Sequence, residues 1–169
     1  MSLREKYPQE VARHLAKYPP ERRQSAVMPL LHLAQLETGF VDRHAVREIA
    51  EITGITETDV VEVIGFYTLY HDAPAGKLRL QVCTDISCAL RGADAFLAEL
   101  CSHLGIEPGG TTPDGRVTVE AVMCLAACDK APMLQVQGPN GISYHENMTL
   151  EKALELVETQ GKGGREVTG

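Results

Sequence analysis

The sequence contains no long apolar run and no excess of basic residues, and these two absences exclude two classes of partner. The longest apolar stretch, residues 26 to 36, is interrupted by Pro29, His32 and Gln35, and it falls short of the roughly 18 residues of a membrane span. The sequence contains 16 Lys and Arg residues and 23 Asp and Glu residues, which gives a formal net charge of -7. This balance argues against duplex DNA or an anionic membrane as the main partner. We therefore expect neither a membrane-spanning segment nor nucleic acid binding.

Targeting signals and nucleotide-binding loops are also missing from the sequence. The first twenty residues carry Glu5 and Glu10 and no continuous apolar region, so neither a secretory signal nor a transit peptide is visible. No G-x-G-x-x-G motif follows a predicted strand, and there is no P-loop. We expect a cytoplasmic protein that binds no nucleotide through these motifs.

The composition is that of a globular chain, and the sequence pattern divides it in two. Of 169 residues, 44% are apolar and 23% are charged, which permits a packed core. Residues 1–75 predict a small bundle of four short helices. The predicted helices cover residues 8–18, residues 21–38 with Pro29 as a possible kink, residues 43–53 after an Asp42 N-cap, and residues 57–67 after a capping box of Thr56 and Asp59.

Residues 76–160 change to an α/β pattern. Residues 77–82 alternate Leu78, Leu80 and Val82 with polar residues, which predicts a strand with one buried and one solvent-facing side. A helix is predicted at residues 92–104, strands at 117–121, 133–137 and 142–145 with a hairpin turn at 138–141, and a last helix after Thr149. Helices covering a four-stranded sheet form an α/β fold. Residues 161–169, rich in Gly and charge, are predicted to be a flexible tail.

Four of the five cysteines form two closely spaced pairs that each follow a predicted strand. Cys83 and Cys88 form C-x4-C after the first strand, and Cys124 and Cys128 form C-x3-C after the second. In the cytoplasm thiols stay reduced unless a metal or redox chemistry takes them. If the two strands are neighbours, the four thiolates converge at one end of the sheet.

Four thiolates at one site suit either a 2Fe-2S cluster or a structural zinc ion. The cluster takes two cysteines on each iron, and backbone N–H groups of residues 84–87 and 125–127 are expected to donate to its sulfurs. Structural zinc usually takes C-x2-C pairs, so the spacing favours the cluster, with simply buried thiols as a third alternative. Cys101 lies on a predicted helix and is interpreted as a core thiol. No histidine lies at ligand spacing from a cysteine, so a Rieske-type site has no support.

The sequence around these cysteines resembles the small 2Fe-2S subunit of NADH:quinone oxidoreductase, the bacterial respiratory complex I. That family carries C-x4-C followed by C-x3-C. Similar context covers residues 18 to 157, nearly the whole chain. It includes residues 18–22 (YPPER), 66–67 (FY), 76–83 (GKLRLQVC), 90–93 (LRGA), 112–115 (TPDG) and 128–132 (CDKAP).

The resemblance implies a thioredoxin-like 2Fe-2S ferredoxin domain preceded by a small N-terminal helical bundle. It implies one cluster with four ligands, Cys83, Cys88, Cys124 and Cys128. The implied function is electron transfer within the complex, with no active site in this chain. The cluster would exchange single electrons with the FMN of an adjacent, flavin-binding, NADH-oxidising subunit, which alone would bind FMN and NADH. The complex would hold the chain at the cytoplasmic side of the membrane as a peripheral subunit.

Three alternative functions are compatible with the same cysteine motifs. Equivalent subunits occur in NAD-linked formate dehydrogenases and NAD-reducing hydrogenases, and a stand-alone ferredoxin or a zinc-stabilised interaction module would differ in class. The N-terminal bundle argues against the last two.

The chain departs from the family pattern at two positions, because the family commonly has Gly where this chain has Ala126 and Glu62. If position 126 requires a positive φ, alanine there is expected to alter the second cysteine loop and the cluster potential slightly. Phe66, Tyr67 and Tyr70 are expected to be core residues.

Overall fold

A computed structural model describes residues 2–138 and 141–160, and the chain divides into two compact units, Met1–Pro74 and Ala75–Gly169. The first is helical and the second is a mixed α/β unit. The central residues of the predicted hairpin turn, 139 and 140, and the predicted tail, 161–169, lie outside the described residues. Within the described residues, no helix has both the length and the apolar content to cross a membrane.

The first unit is a set of short helices around one apolar core. Its largest fully buried side chains include Leu30, Leu31, Ile49 and Val60. Apolar residues at helical spacing supply each helix with a buried face, and burial of that face stabilises the unit. The helices are α1 (Leu3–Lys6), α2 (Pro8–Leu15), a 3-10 helix (Pro20–Ala26), α3 (Val27–Thr38), α4 (Arg43–Thr53) and α5 (Glu57–Phe66).

The predicted caps of α4 and α5 are confirmed. Asp42 accepts a hydrogen bond from the Ala45 N–H at 2.7 Å. Thr56 and Asp59 form a reciprocal capping box, in which each side chain accepts from the backbone N–H of the other residue. Gly54 ends α4 with a φ of 76°, a left-handed conformation that glycine adopts without the steric cost of a Cβ.

Three predictions about the helical unit are corrected. The structure adds α1, which the sequence pattern does not show because its N–H groups are held by a side chain distant in sequence. The helix that begins at Pro8 ends at Leu15 rather than at residue 18. The predicted helix 21–38 divides before Val27, and Pro29 does not kink α3. Pro29 is the third residue of α3, where the backbone N–H has no intrahelical partner to lose.

Two of the three aromatic residues expected in the core are exposed. Phe66 is 78% exposed, and Tyr67 at the end of α5 is also exposed, whereas Tyr70 packs partly against the helical core. The two exposed rings contact each other edge to face, with centroids 5.0 Å apart. Phe66 is the last residue of α5 and lies about 200° around the helix from buried Ile64, so it points away from the core, and Tyr67 follows the end of the helix.

The second unit contains a sheet of four strands, which are β1 (Leu78–Cys83), β2 (Val117–Val122), β3 (Leu134–Gly138) and β4 (Gly141–His145). Their order in the sheet is β2-β1-β3-β4. β1 and β2 are parallel, and the pairs β1 with β3 and β3 with β4 are antiparallel. The helices of this unit are α6 (Ile86–Leu90), α7 (Ala93–Leu104), a 3-10 helix (Cys128–Lys130) and α8 (Leu150–Gln160).

The apolar face of the sheet is confirmed, but the prediction of a solvent-facing polar side on β1 is wrong. Leu78, Leu80 and Val82 pack in one buried cluster with residues of α7 and α8. Gln81 is nevertheless only 3% exposed, and Arg79 is also buried. Both are paired: Arg79 forms an ion pair with the Glu120 carboxylate, and the Gln81 amide donates to Glu120 at 3.1 Å. The neighbouring strands supply partners for these polar groups, and alternation along β1 cannot reveal them.

Candidate metal centre

The parallel pairing of β1 and β2 brings the two cysteine motifs to one edge of the sheet. Cys83 is the last residue of β1, and its register partner is Val122, the last residue of β2. The Thr84 N–H donates to the Val122 carbonyl at 3.0 Å, so the segments that follow β1 and β2 leave the sheet side by side. Cys124 follows only two residues after Val122. Parallel strands end at the same edge, which is why both motifs meet there.

Cys88 lies on the short helix α6, which the sequence analysis does not predict. α6 begins after Asp85, whose carboxylate accepts from the Ile86 N–H at 2.8 Å. Asp85 is therefore the N-cap of α6. The Asp85 carboxylate and the Val122 carbonyl also occupy two of the backbone donors, those of Ile86 and Thr84, that we expected to face the cysteine sulfurs. A five-residue helix leaves no detectable periodicity in the sequence.

The second pair is held by a tight loop and a 3-10 turn. The Cys124 and Cys128 sulfurs lie 3.5 Å apart. The Ala126 N–H points at the Cys124 sulfur, at 3.4 Å, as the sequence predicts for residues 125–127. The Lys130 N–H donates to the Ala127 carbonyl at 3.0 Å and closes the turn that begins at Cys128.

The two pairs differ in their exposure to solvent. Cys83 and Cys88 are buried, whereas Cys124 and Cys128 are exposed. The buried pair belongs to a small apolar cluster, and Leu125 from the second loop packs against it. The other members of this cluster are Ala93, Ala131 and Met133, and Ala127 packs against it like Leu125. The site therefore has an interior side and a solvent side.

Electrostatic interactions among the four thiols shift the pKa values of Cys88 and Cys124. Burial, a hydrogen bond with the Cys83 thiol and nearby negative charge on Cys83 and Cys128 raise the pKa of Cys88 to about 11, although the Met133 N–H opposes this shift. The Ala126 N–H lowers the pKa of Cys124, but contact with Cys128 and desolvation outweigh it, and the net shift is upward. Crowded thiols of this kind lose their protons when a metal neutralises the accumulated charge.

The spacing of the second thiol pair fits tetrahedral coordination of one iron of a cluster. For metal–sulfur bonds of about 2.3 Å, a tetrahedral metal holds two sulfurs about 3.8 Å apart, close to the 3.5 Å between Cys124 and Cys128. The thiols form two pairs, and a 2Fe-2S cluster takes two cysteines on each iron.

Cys101 is separate from this site. It is buried in the larger cluster of the α/β unit, among residues of α7 and the apolar face of the sheet. Its interpretation as a core thiol is confirmed.

The fold and the paired thiols agree with the sequence family. The chain belongs to the thioredoxin-like [2Fe-2S] ferredoxin family, whose family model matches residues 11–160. The cofactor of the chain is accordingly one 2Fe-2S cluster.

Within this family, the chain is similar over most of its length to subunits of NADH-quinone oxidoreductase. NADH-quinone oxidoreductase subunit 2 of Thermus thermophilus is 42% identical over 161 residues, which cover 90% of this chain and 89% of the relative. An NADH-quinone oxidoreductase subunit of Rhizobium meliloti is 41% identical over 159 residues, 94% of this chain and 89% of the relative. The predicted resemblance to the small 2Fe-2S subunit of complex I is confirmed, and with it the role of an electron-transfer subunit in a multi-subunit oxidoreductase.

A solved structure shows the same fold at lower identity. An NAD+-reducing [NiFe]-hydrogenase in its air-oxidized state superposes with a TM-score of 0.65 and 20% identity, over 79% of this chain and 23% of that chain. This likeness shows the fold and does not extend to activity.

Proposed function

We propose that Cys83, Cys88, Cys124 and Cys128 hold the 2Fe-2S cluster, and that this cluster exchanges single electrons with the flavin of an NADH-oxidising partner subunit. The observation that carries the proposal is the convergence of two thiol pairs at the shared edge of β1 and β2. When bound, the cluster supplies a one-electron redox centre. The family relatives support the type of complex.

The chain's own residues hold the cluster and adjust its environment. Cys83 and Cys88 fix the interior side, because they are anchored in the small apolar cluster. Cys124 and Cys128 form the solvent side, where the Ala126 N–H donates to the Cys124 sulfur. Hydrogen bonds to sulfur and exposure to water both favour the more negative reduced state and so raise the reduction potential.

An exposed apolar surface beside the exposed cysteines supports docking of a partner there. Ile86 is 73% exposed, Leu90 is 82% exposed and Met123 is 75% exposed. Ile86 and Leu90 lie one turn apart on α6, and Met123 directly precedes Cys124. We call these three residues the apolar rim. Large apolar side chains around a redox centre suit a protein partner that excludes water and shortens the path for the electron.

We further propose that the chain is non-catalytic and that NADH reacts on the partner. The sequence contains no dinucleotide-binding fingerprint and no P-loop, which supports a division between an NADH-binding subunit and this electron carrier. We also propose that the chain lies at the periphery of a membrane complex, on the cytoplasmic side, and its similarity to subunits of NADH-quinone oxidoreductase supports this.

The first test is metal analysis of the full chain purified without oxygen. We expect about two irons and two sulfides per chain, visible absorption, and a spin-half EPR signal after reduction with dithionite. A colourless protein with one zinc per chain would contradict the proposal. Purification of the complex from its own source then tests the partner: a flavin-containing, NADH-oxidising subunit is expected to co-purify, whereas a hydrogenase or formate dehydrogenase subunit would assign the chain to another complex.

A further inference from the structure

Ala126 has a left-handed backbone conformation in the middle of the second cysteine loop. Its φ is 63°, and Asn147 is the other non-glycine residue with positive φ in the described ranges 2–138 and 141–160. For an L-residue this conformation brings Cβ close to the following carbonyl oxygen, and only glycine adopts it routinely. The loop therefore places an alanine where its backbone favours glycine.

The residues on both sides of Ala126 are anchored, while Ala126 itself is exposed. Leu125 and Ala127 pack against the buried cluster that contains Cys83 and Cys88. The Ala127 carbonyl is also held by the Lys130 N–H at 3.0 Å. An unfavourable backbone conformation persists when its surroundings fix it in this way.

The left-handed turn has two consequences for the sulfurs. It points the Ala126 N–H at the Cys124 sulfur, at 3.4 Å. It also reverses the chain so that Cys128 returns to within 3.5 Å of Cys124. A residue that resists this conformation would therefore lose the N–H donor and separate the pair.

We infer that Ala126 is a positioning residue, whose left-handed backbone presets the Cys124 and Cys128 pair for the cluster and keeps one N–H on the Cys124 sulfur. The inference rests on the proposed ligand set. Since a hydrogen bond to sulfur favours the reduced cluster, the conformation at position 126 contributes to the reduction potential as well as to cluster retention.

The test compares substitutions of similar size that differ in their tolerance of positive φ. Asparagine accepts the left-handed conformation, whereas threonine and valine, branched at Cβ, strongly resist it. Because Ala126 is exposed, all three side chains extend into solvent. The full chains with Ala126→Asn, Ala126→Thr and Ala126→Val, together with Ala126→Gly, are reconstituted anaerobically with iron and sulfide. Iron content, the rate of iron release to a chelator and the midpoint potential are then measured, and circular dichroism checks folding.

We expect Ala126→Gly and Ala126→Asn to retain a full cluster at the potential of the unsubstituted chain. Ala126→Thr and Ala126→Val should release iron about tenfold faster, the effect of a further 1–2 kcal/mol of backbone strain, and whatever cluster they retain should have a more negative potential. Equal release rates and potentials for the Asn and Thr variants would overturn the inference. If Ala126→Val does not fold, the Asn and Thr pair decides the question. An unsubstituted chain that takes up no iron and sulfide would instead overturn the proposed function itself.

Discussion

Cys83 lies directly opposite Val122, each as the last residue of its parallel strand. This single pairing brings a C-x4-C motif and a C-x3-C motif to one edge of the sheet, although α7, a long loop and β2 separate them in sequence. The register matters because a shift of one residue would turn the side chains at the strand end to the opposite face. The metal centre is therefore a product of strand pairing.

Single serine substitutions at the four proposed ligands should each remove or alter the cluster. Cys83→Ser and Cys88→Ser should also destabilise the fold by about 1–3 kcal/mol, because each places a hydroxyl in an apolar environment, whereas Cys124→Ser and Cys128→Ser should not. Iron content, EPR spectra and urea unfolding measure the two effects. Cys101→Ser is the matched control, since it also buries a hydroxyl but lies outside the site. Loss of the EPR signal in Cys101→Ser alone would contradict the ligand set.

A charge on the apolar rim should weaken binding of the flavin-containing partner. We expect Leu90→Glu to reduce affinity for the partner about tenfold or more, because it places a charge in a contact that excludes water. The EPR spectrum of the isolated chain should not change. Binding to the purified partner is measured by calorimetry or surface plasmon resonance.

Ile142→Glu provides the control for the apolar rim. Ile142 is 51% exposed and pairs with Gln137, which pairs in turn with Arg79 near the start of β1, so it lies at the opposite end of the sheet from Cys83. An equal loss of affinity in both variants would show that the rim has no specific role.

Glu120→Gln should destabilise the α/β unit by about 2 kcal/mol, because it leaves the buried Arg79 guanidinium without a carboxylate. The midpoint of urea unfolding, followed by circular dichroism, measures the change. Arg47→Gln is the comparison, since Arg47 and Glu57 form an exposed pair at 3.4 Å that should contribute no more than about 0.5 kcal/mol. Similar effects of the two substitutions would mean that burial of the Arg79 pair does not contribute to stability.

The helical unit should lose stability in acid through Glu48. This buried carboxylate accepts from Ser2 Oγ at 2.5 Å and from the N–H groups of Leu3 at 2.7 Å and Arg4 at 3.0 Å. Burial raises its pKa, but these hydrogen bonds and the charge of His44 outweigh burial, and the pKa is lowered from 4.5. A lowered pKa in the folded state means that the stabilisation is complete above pH 4.5 and is lost as the pH falls through the folded value.

Glu48→Gln should therefore cost about 1–3 kcal/mol at neutral pH and should flatten the acid dependence of unfolding. Urea unfolding at several pH values checks both effects. Glu51→Gln, an exposed substitution on the same helix, should change neither. An acid dependence that is unchanged in Glu48→Gln would assign the titration to other carboxylates.

Local signals predicted most of the secondary structure correctly, and the exceptions share a cause. The caps at Asp42 and Thr56 and the helix α7 depend on neighbours within a few residues, so the sequence shows them directly. α1 depends on Glu48, and the burial of Gln81 depends on Glu120 and Gln135 from other strands. Contacts between residues distant in sequence leave no periodic pattern.

The cysteine spacing and its flanking residues determined the family, the kind of cofactor and the candidate ligands, because a cluster needs thiolates in pairs at fixed separations. The tertiary structure decided which strands are neighbours, which pair is buried, that Cys88 lies on a helix, and that Ala126 takes a left-handed conformation. These properties follow from register and packing, which depend on the whole sheet. The short cysteine motifs determine which group the site binds, and the fold determines which side of the site is buried and which is exposed to solvent and to a partner.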